Sequence, residues 1–338
     1  MCFIIVVAGL AYLWQYGWPG APAQGTNPDA MSRMVGLTDP VTNRLADRFT
    51  DANDDLVADA PSDPAALLNP DTLVFSYVAV EQAEEYRDRW QPLVDHLQTA
   101  LGRPVAYLLV RDPMEQLAAI RDGRLHIAGL NTGAVPLAVN QAGFVPVCKL
   151  PSADGTGRYH MVFVVPADSP LEGPTNLRGR ELTLTNPNSN SGFKAPLVLL
   201  WSDFGLRPGR DFDFRMSGSH EHSIEGISNG TYEAAAVADD LVSQAVKAGT
   251  LTEDTYRVIY KSEPFPTAAL GYAHNIDPAL AEQIHKALLE FNWAGTPMDG
   301  TVAPVGHTQF IPADYKDDWS LIRRIDDAGG KKYEITGG

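Results

Sequence analysis

Cysteine is nearly absent from the chain. Its 338 residues hold only Cys2 and Cys148, with no CxxC pair and no Cys/His cluster. That excludes a disulfide-built scaffold and leaves a structural zinc site without ligands. Basic residues are also scarce: Lys+Arg 26 against Asp+Glu 42 gives a net charge of -16. A chain with that balance lacks the cationic face that nucleic acid needs and the polybasic stretch that anionic lipid headgroups need. The signatures GxSxG, GxxxxGK[ST], HExxH and a post-strand GxGxxG are all missing, so the common hydrolase, phosphate-loop, metalloprotease and dinucleotide chemistries have no support. A small anionic ligand stays open, because neutral donors and helix N-termini can bind one inside an acidic protein.

What is present reads as a globular protein. Hydrophobic residues are 44% and charged residues 20%, unlike a disordered chain. The first residues, MCFIIVVAGLAYLWQYGWPG, are apolar from Cys2 to Trp18 except at Gln15. Their length suits a signal-peptide core or a short membrane anchor, and Trp14, Tyr16 and Trp18 resemble an interfacial aromatic belt. We therefore expect residues 1–20 to be a signal anchor or signal peptide and the rest to be exported. Residues 21–70, rich in Ala, Asp and Pro, are expected to form an acidic stalk. Within it Asp51, Asn53, Asp55 and Asp59 are spaced D-x-N-x-D-x-x-x-D. Alternate oxygen ligands in a tight loop suit calcium, and the pattern is similar to the loops of dockerin and thrombospondin type 3 repeats. It departs from an EF-hand, with Leu56 at the turn-glycine position and no glutamate at the twelfth. The alternative is a solvated acidic linker.

From Asp71 the pattern changes to alternating strands and helices. Strand-like apolar runs at 73–78, 105–110 and 125–130 are separated by helical spacing over 84–101 and 114–121. The cycle recurs with strands near 159–165, 181–185, 212–216 and 234–238 and helices over 193–204, 222–229 and 241–247. Strands at 257–260 and 270–273 and a helix over 278–289 close the pattern. Such alternation predicts α/β architecture with mostly parallel sheets covered on both faces. We assign 71–162 and 264–338 to a first lobe and 163–263 to a second.

Three donor-rich turns follow strands. The first is Thr185-Asn186-Pro187-Asn188-Ser189-Asn190-Ser191-Gly192-Phe193, the second Ser217 to Ser223 with His220, and the third Asn131-Thr132-Gly133-Ala134. In open α/β sheets ligands bind beyond the carboxyl ends of strands. Turns of this kind from two lobes describe a cleft between them. Tyr77 is a further contact candidate at a strand end.

The stretch from about Asp71 to Trp293 resembles the phosphonate/phosphite/phosphate-binding proteins of ABC transporters, a branch of the two-lobed type II periplasmic binding fold. The resemblance rests on Ala153-Asp154-Gly155 with Tyr159, on the run Asn186 to Phe193, on Gly218-Ser219-His220-Glu221 and on Asp239-Asp240. It implies that Ser189, Asn190 and Ser191 hold the ligand oxygens, with His220 as an additional donor. Two departures bear on the ligand. Leu130 or Asn131 stands where aminophosphonate binders carry a tyrosine. Of the two acids that would meet an ammonium, only Asp239 or Asp240 remains, because Pro266-Thr267-Ala268-Ala269 is neutral. The expected ligand is thus a compact oxyanion such as phosphate, phosphite or a simple phosphonate, delivered to a membrane permease with no cofactor beyond calcium in the stalk. The second reading is a sensor of a related oxyanion such as arsenite feeding a membrane kinase, with Cys148 as a soft thiolate rather than a small buried residue. An enzyme using His220, Glu221 and Asp239 ranks last, for want of a nucleophile–base pair.

Overall fold

The structure is a computed structural model and describes residues 37–77, 83–110, 112–185 and 189–335. The expected anchor, most of the first half of the stalk, and Asn186-Pro187-Asn188 lie outside the described residues. The chain divides into two compact units. A discontinuous unit takes residues 42–159, 265–327 and 332–335. An inserted unit takes residues 160–264 with the short stretches 37–41 and 328–331.

The discontinuous unit opens with β1 (Leu73–Tyr77), α1 (Ala83–Leu101), β2 (Val105–Tyr107), α2 (Pro113–Arg121), β3 (Ile127–Leu130), α3 (Val135–Ala142), β4 (Phe144–Lys149) and β5 (Arg158–Tyr159). Trp90, Leu93, Val94 and Leu97 of α1 recur at helical spacing and are all buried, which makes them the stripe that drives the helix onto the sheet. Helix α2 starts where Asp112 accepts the Met114 amide, with Pro113 in the first turn. That pairing satisfies one orphan donor and removes another. Helix α3 had no sequence expectation; it is short, carries Pro136 in its first turn, and ends on Gly143 in the left-handed region at φ 69.

The inserted unit contains β6 (Met161–Pro166), β7 (Glu181–Leu184), α4 (Ala195–Phe204), β8 (Asp213–Met216), α5 (His220–Ser228), β9 (Ala235–Ala238), α6 (Asp239–Lys247) and β10 (Tyr256–Lys261). Its sheet runs β10-β6-β9-β7-β8. A cluster of Val162, Val164, Ile224, Ile227, Ala235, Val237, Val242 and Leu251 fills one face.

The chain then returns as β11 (Phe265–Pro266), β12 (Ala269–Ala273), α7 (Pro278–Glu290), β13 (Ile311–Pro312) and, past a single helical turn, α8 (Ser320–Ala328). The larger sheet runs β13-β4-β12-β3-β1-β2, and β5 pairs with β11. The expectation of mostly parallel sheets is corrected. β1 is parallel to β2 and β3, but β12 lies antiparallel to both β3 and β4. In the inserted unit β7 is parallel to β8 and β9, whereas β6 is antiparallel to β9 and β10. A buried strand is apolar on both faces whichever way it runs, so its composition carries no direction.

The stalk reading also changes for residues 42–70, which are bound along the discontinuous unit. The Ala46 amide donates to Asn140 O at 3.0 Å, and the Leu68 amide donates to Asn275 O at 2.7 Å. Asn43 Nδ2 donates to Asp327 Oδ1 at 2.6 Å, Phe49 meets the His274 ring edge-on at 4.7 Å, and Ala58 is buried. Backbone amides and apolar side chains that find such partners stop behaving as a linker, whatever the composition around them. Among the described residues no helix is long and apolar enough to cross a membrane.

Candidate functional site

The most organised polar turn lies between β7 and α4. Ser189 has extended backbone geometry, and its Oγ accepts the Gly192 amide at 2.9 Å. The next residues, Asn190–Lys194, are wound as a π-helical turn before α4 begins at Ala195. The helix expected from Phe193 is therefore preceded by a wider turn, a feature that recurs at functional sites. Packing explains Gly192: its carbonyl accepts the Thr185 amide at 2.8 Å, and a β-carbon there would overlap the Thr185 side chain. Thr185 Oγ1 is itself buried with no hydrogen-bond partner among the described residues. Ser191 is 3% exposed, while Ser189 and Asn190 are half-buried.

His220 reaches this turn from a different strand end. It is the first residue of α5, which Ser219 caps by accepting the His222 amide. His220 Nε2 lies 3.1 Å from Ser189 Oγ, and its Nδ1 accepts the Ala238 amide at 3.3 Å. Burial pushes the imidazole below the ordinary histidine pKa, against the opposing charge of Glu221. Burial and the Ala238 amide at Nδ1 both disfavour the doubly protonated ring. The fold brings His220 to Ser189, at the head of the turn that also holds Ser191 and Lys194.

Asp239 is placed otherwise. Its Oδ1 accepts the His160 amide at 2.8 Å, and its Oδ2 pairs with Lys261 Nζ at 3.1 Å. The carboxylate already has a backbone donor and a cation, which sequence reasoning missed. Lys261 closes β10, and only the fold brings it to Asp239. Asp240, the other acid of that pair, is raised above the usual carboxylate pKa by burial and by neighbouring Asp239, against the Leu241 amide.

The turn after β3 in the discontinuous unit has its polar groups turned inward. Thr132 Oγ1 donates to Pro266 O at 2.9 Å, and Thr132 O accepts Trp319 Nε1–H at 3.1 Å. Asn131 is exposed and its carbonyl accepts the Ala134 amide at 2.9 Å. Tyr77 stacks on Trp90 at 4.4 Å and covers Gly129, while its carbonyl accepts Tyr107 Oη–H at 3.0 Å. Next to Trp319 in the chain, Asp318 forms a buried ion pair with Lys149, Nζ to Oδ1 at 2.6 Å, each side chain 4% exposed.

Two other expectations meet different geometry. The Asp51–Asp59 oxygens turn onto their own loop. Asp51 accepts the Asp55 and Leu56 amides at 3.1 and 3.0 Å; Asp55 accepts the Val57 amide at 2.8 Å; Asp59 accepts the Ala52 amide at 2.8 Å. Asn53 Nδ2 donates to Asp55 at 2.9 Å. Leu56 reaches φ 66 without being glycine. Lys316 Nζ reaches the loop at Asp54, 2.6 Å from its carbonyl and 2.8 Å from its carboxylate. Among the described residues no group of three or more His, Cys, Asp or Glu is gathered as a metal site. Cys148 sits in β4, fully buried, with burial pushing its thiol pKa far up. Its burial is that of a small packing residue and disfavours the thiolate. A cavity of about 620 Å³ lies between the 55–60 loop, Tyr272, His274 and α7. None of the ligand candidates above lines it.

Each unit is a mixed α/β sheet whose polar turns sit at strand ends, and the fold is that of a periplasmic binding protein. The structure of PhnD1 from Prochlorococcus marinus (MIT 9301), in complex with methylphosphonate, superposes with TM-score 0.56 at 16% identity, covering 78% of this chain and 100% of that one. The chain belongs to the family of ABC transporter phosphonate periplasmic substrate-binding proteins, which matches residues 75–319. It is 22% identical over 234 residues to the phosphonates-binding periplasmic protein of Escherichia coli (strain K12), 68% of each chain. It is 21% identical over 237 residues to the phosphate-import protein PhnD of Mycolicibacterium smegmatis, 67% of this chain and 74% of that one. Members of this family bind substrates for transport and are not enzymes.

Proposed function

We propose that the protein captures a small tetrahedral oxyanion (phosphate, phosphite or a simple phosphonate) outside the cytoplasmic membrane and delivers it to an ABC permease. The observation that carries this reading is the Ser189 turn. A hydroxyl, the amides of a π-helical turn and a neutral histidine meet at the end of β7. Directed neutral donors at a helix N-terminus hold an anion without a net positive pocket. The phosphonate-binding and phosphate-import relatives support the same ligand class.

The ligand carries no ammonium in this reading. Asp239 is already paired with Lys261, and residues 266–269 supply no second acid. Thermal shift and calorimetry with phosphate, phosphite, methylphosphonate and 2-aminoethylphosphonate test it. A ligand at about one hundred times its Kd stabilises the folded state by about 2.7 kcal/mol. At least one of the first three is expected to stabilise the protein by that amount, seen as a raised Tm, and to bind tighter than the amine. If none of the first three binds, the reading falls.

A further inference from the structure

Every residue lining the cavity of about 620 Å³ belongs to the discontinuous unit. That volume falls in the range of small-molecule sites, roughly 300–1,000 Å³, and exceeds what a small tetrahedral oxyanion fills. One wall, Asp55 to Ala60, lies outside the stretch 75–319 that the family model matches. The wall is fixed in place. The Asp59 amide donates to Thr50 O at 2.8 Å, and Lys316 Nζ holds Asp54 at 2.6 Å from its carbonyl. The shared fold supplies the other wall from β12 and α7, so the cavity exists only because this chain adds the first.

The lining selects by charge. Ala58, Ile276 and Ala281 supply buried apolar surface. Three carboxylates, Asp55, Asp59 and Glu282, stand against one lysine. Lys286 already has a partner one turn along α7, its Nζ 3.8 Å from Glu290. Arg48 is not in the lining; it donates to Gln141 O and lies over the Phe49 ring. Burial, then the charge of Arg48, lowers the pKa of His274, which disfavours a charge on that ring. His285 is the remaining ionisable group of the lining. The Glu282 carboxylate and the Tyr272 hydroxyl have no partner among the described residues. Asp59 accepts the Ala52 amide through Oδ2, which leaves its Oδ1 for a ligand.

We propose that this cavity is a second binding site, for a small organic cation with an apolar body, an alkyl- or arylammonium. The carboxylates and the phenol oxygen accept the ammonium hydrogens, and the apolar surface takes the hydrocarbon. The site shares no residue with the Ser189 turn and does not rest on the oxyanion reading. Calorimetry at low salt with 2-phenylethylammonium and its carboxylate counterpart, 3-phenylpropanoate, tests it. The ammonium is expected to bind with a Kd of about 1 mM or tighter, and at least about tenfold tighter than the carboxylate. Glu282 is exposed on α7, so replacing it leaves the fold standing. Glu282→Gln is expected to weaken the ammonium by about two- to fivefold, and Glu282→Lys to remove the preference for it. The His285 ring signals are expected to move in NMR during the titration. The proposal is overturned if the ammonium binds no tighter than the carboxylate, if Glu282→Lys leaves its affinity unchanged, or if the His285 signals stay still. Methylphosphonate titrated separately reports on the oxyanion reading alone, and its failure to bind leaves the ammonium result standing.

Discussion

The Ser189 turn of the inserted unit and the Asn131–Thr132 turn of the discontinuous unit both follow a strand, both lead into a helix, and both carry small polar side chains. Their hydroxyls meet different partners. At Thr132 the hydroxyl donates inward to Pro266 O, and Trp319 holds the carbonyl from behind. At Ser189 the hydroxyl oxygen accepts the Gly192 amide at 2.9 Å and lies 3.1 Å from His220 Nε2 of another strand end. The same residue types therefore serve different ends: at Thr132 they tie a turn to strands and helices of its own unit, and at Ser189 they tie two strand ends of the inserted unit to each other.

The sharpest way to break the contrast is to attack the buried ion pair next to Trp319. Asp318→Asn leaves Lys149 buried without a counter-charge, and such losses run at about 3–5 kcal/mol. Urea denaturation is expected to show a fall of that size; a change below about 1 kcal/mol would mean the pair is not a supporting element. Next come the two hydroxyls themselves. Ser189→Ala is expected to weaken methylphosphonate binding by about ten- to hundredfold, the range for a hydrogen bond to a charged group. Thr132→Val is expected to cost about 1–3 kcal/mol of stability by leaving Pro266 O unpaired and to change affinity less than Ser189→Ala does. The reverse order in calorimetry would invert the comparison.

Gly192→Ala sharpens it further. The added methyl meets Thr185, so the turn must shift, at roughly 1–3 kcal/mol for overpacking, and affinity should fall with stability. The mildest effect is that of pH. Burial is the leading cause lowering the pKa of His126, His220 and His274. The unfolded chain then takes up protons first as pH falls through about 6.5. Stability is therefore present above that value and lost progressively below it. Denaturation midpoints measured across this range should fall with acid, and less steeply in His220→Phe.

Much of this was legible in the sequence. The Trp90–Leu97 stripe, the glycine stops and the Ser/Asn run before α4 announced their elements because each signal is local. Helix α8 was legible too but was missed: Leu321, Ile322 and Ile325 are buried on one face. What was not legible depended on distant partners. Asp51, Asn53, Asp55 and Asp59 have a calcium-like spacing, yet spacing does not show which loop amides their oxygens accept, and Lys316, which reaches Asp54, lies far along the chain. Lys261 cancelled the free acid expected at Asp239 in the same way. The π-helical turn at Asn190–Lys194 escaped because a widened turn has the same residue spacing as a helix start.

One feature of the chain path reaches beyond ligand chemistry. Tyr159 faces Phe265 in the β5–β11 pair, and just inside the inserted unit the Met161 amide donates to Ser262 Oγ at 3.0 Å. The two ends of residues 160–264 therefore leave and re-enter side by side. In engineering terms the segment is a cassette with adjoining ends, the arrangement that tolerates excision and exchange. A tight turn joining Tyr159 to Phe265 would close the discontinuous unit without stretching either strand, and the Ser189 turn could be transplanted whole into a related scaffold.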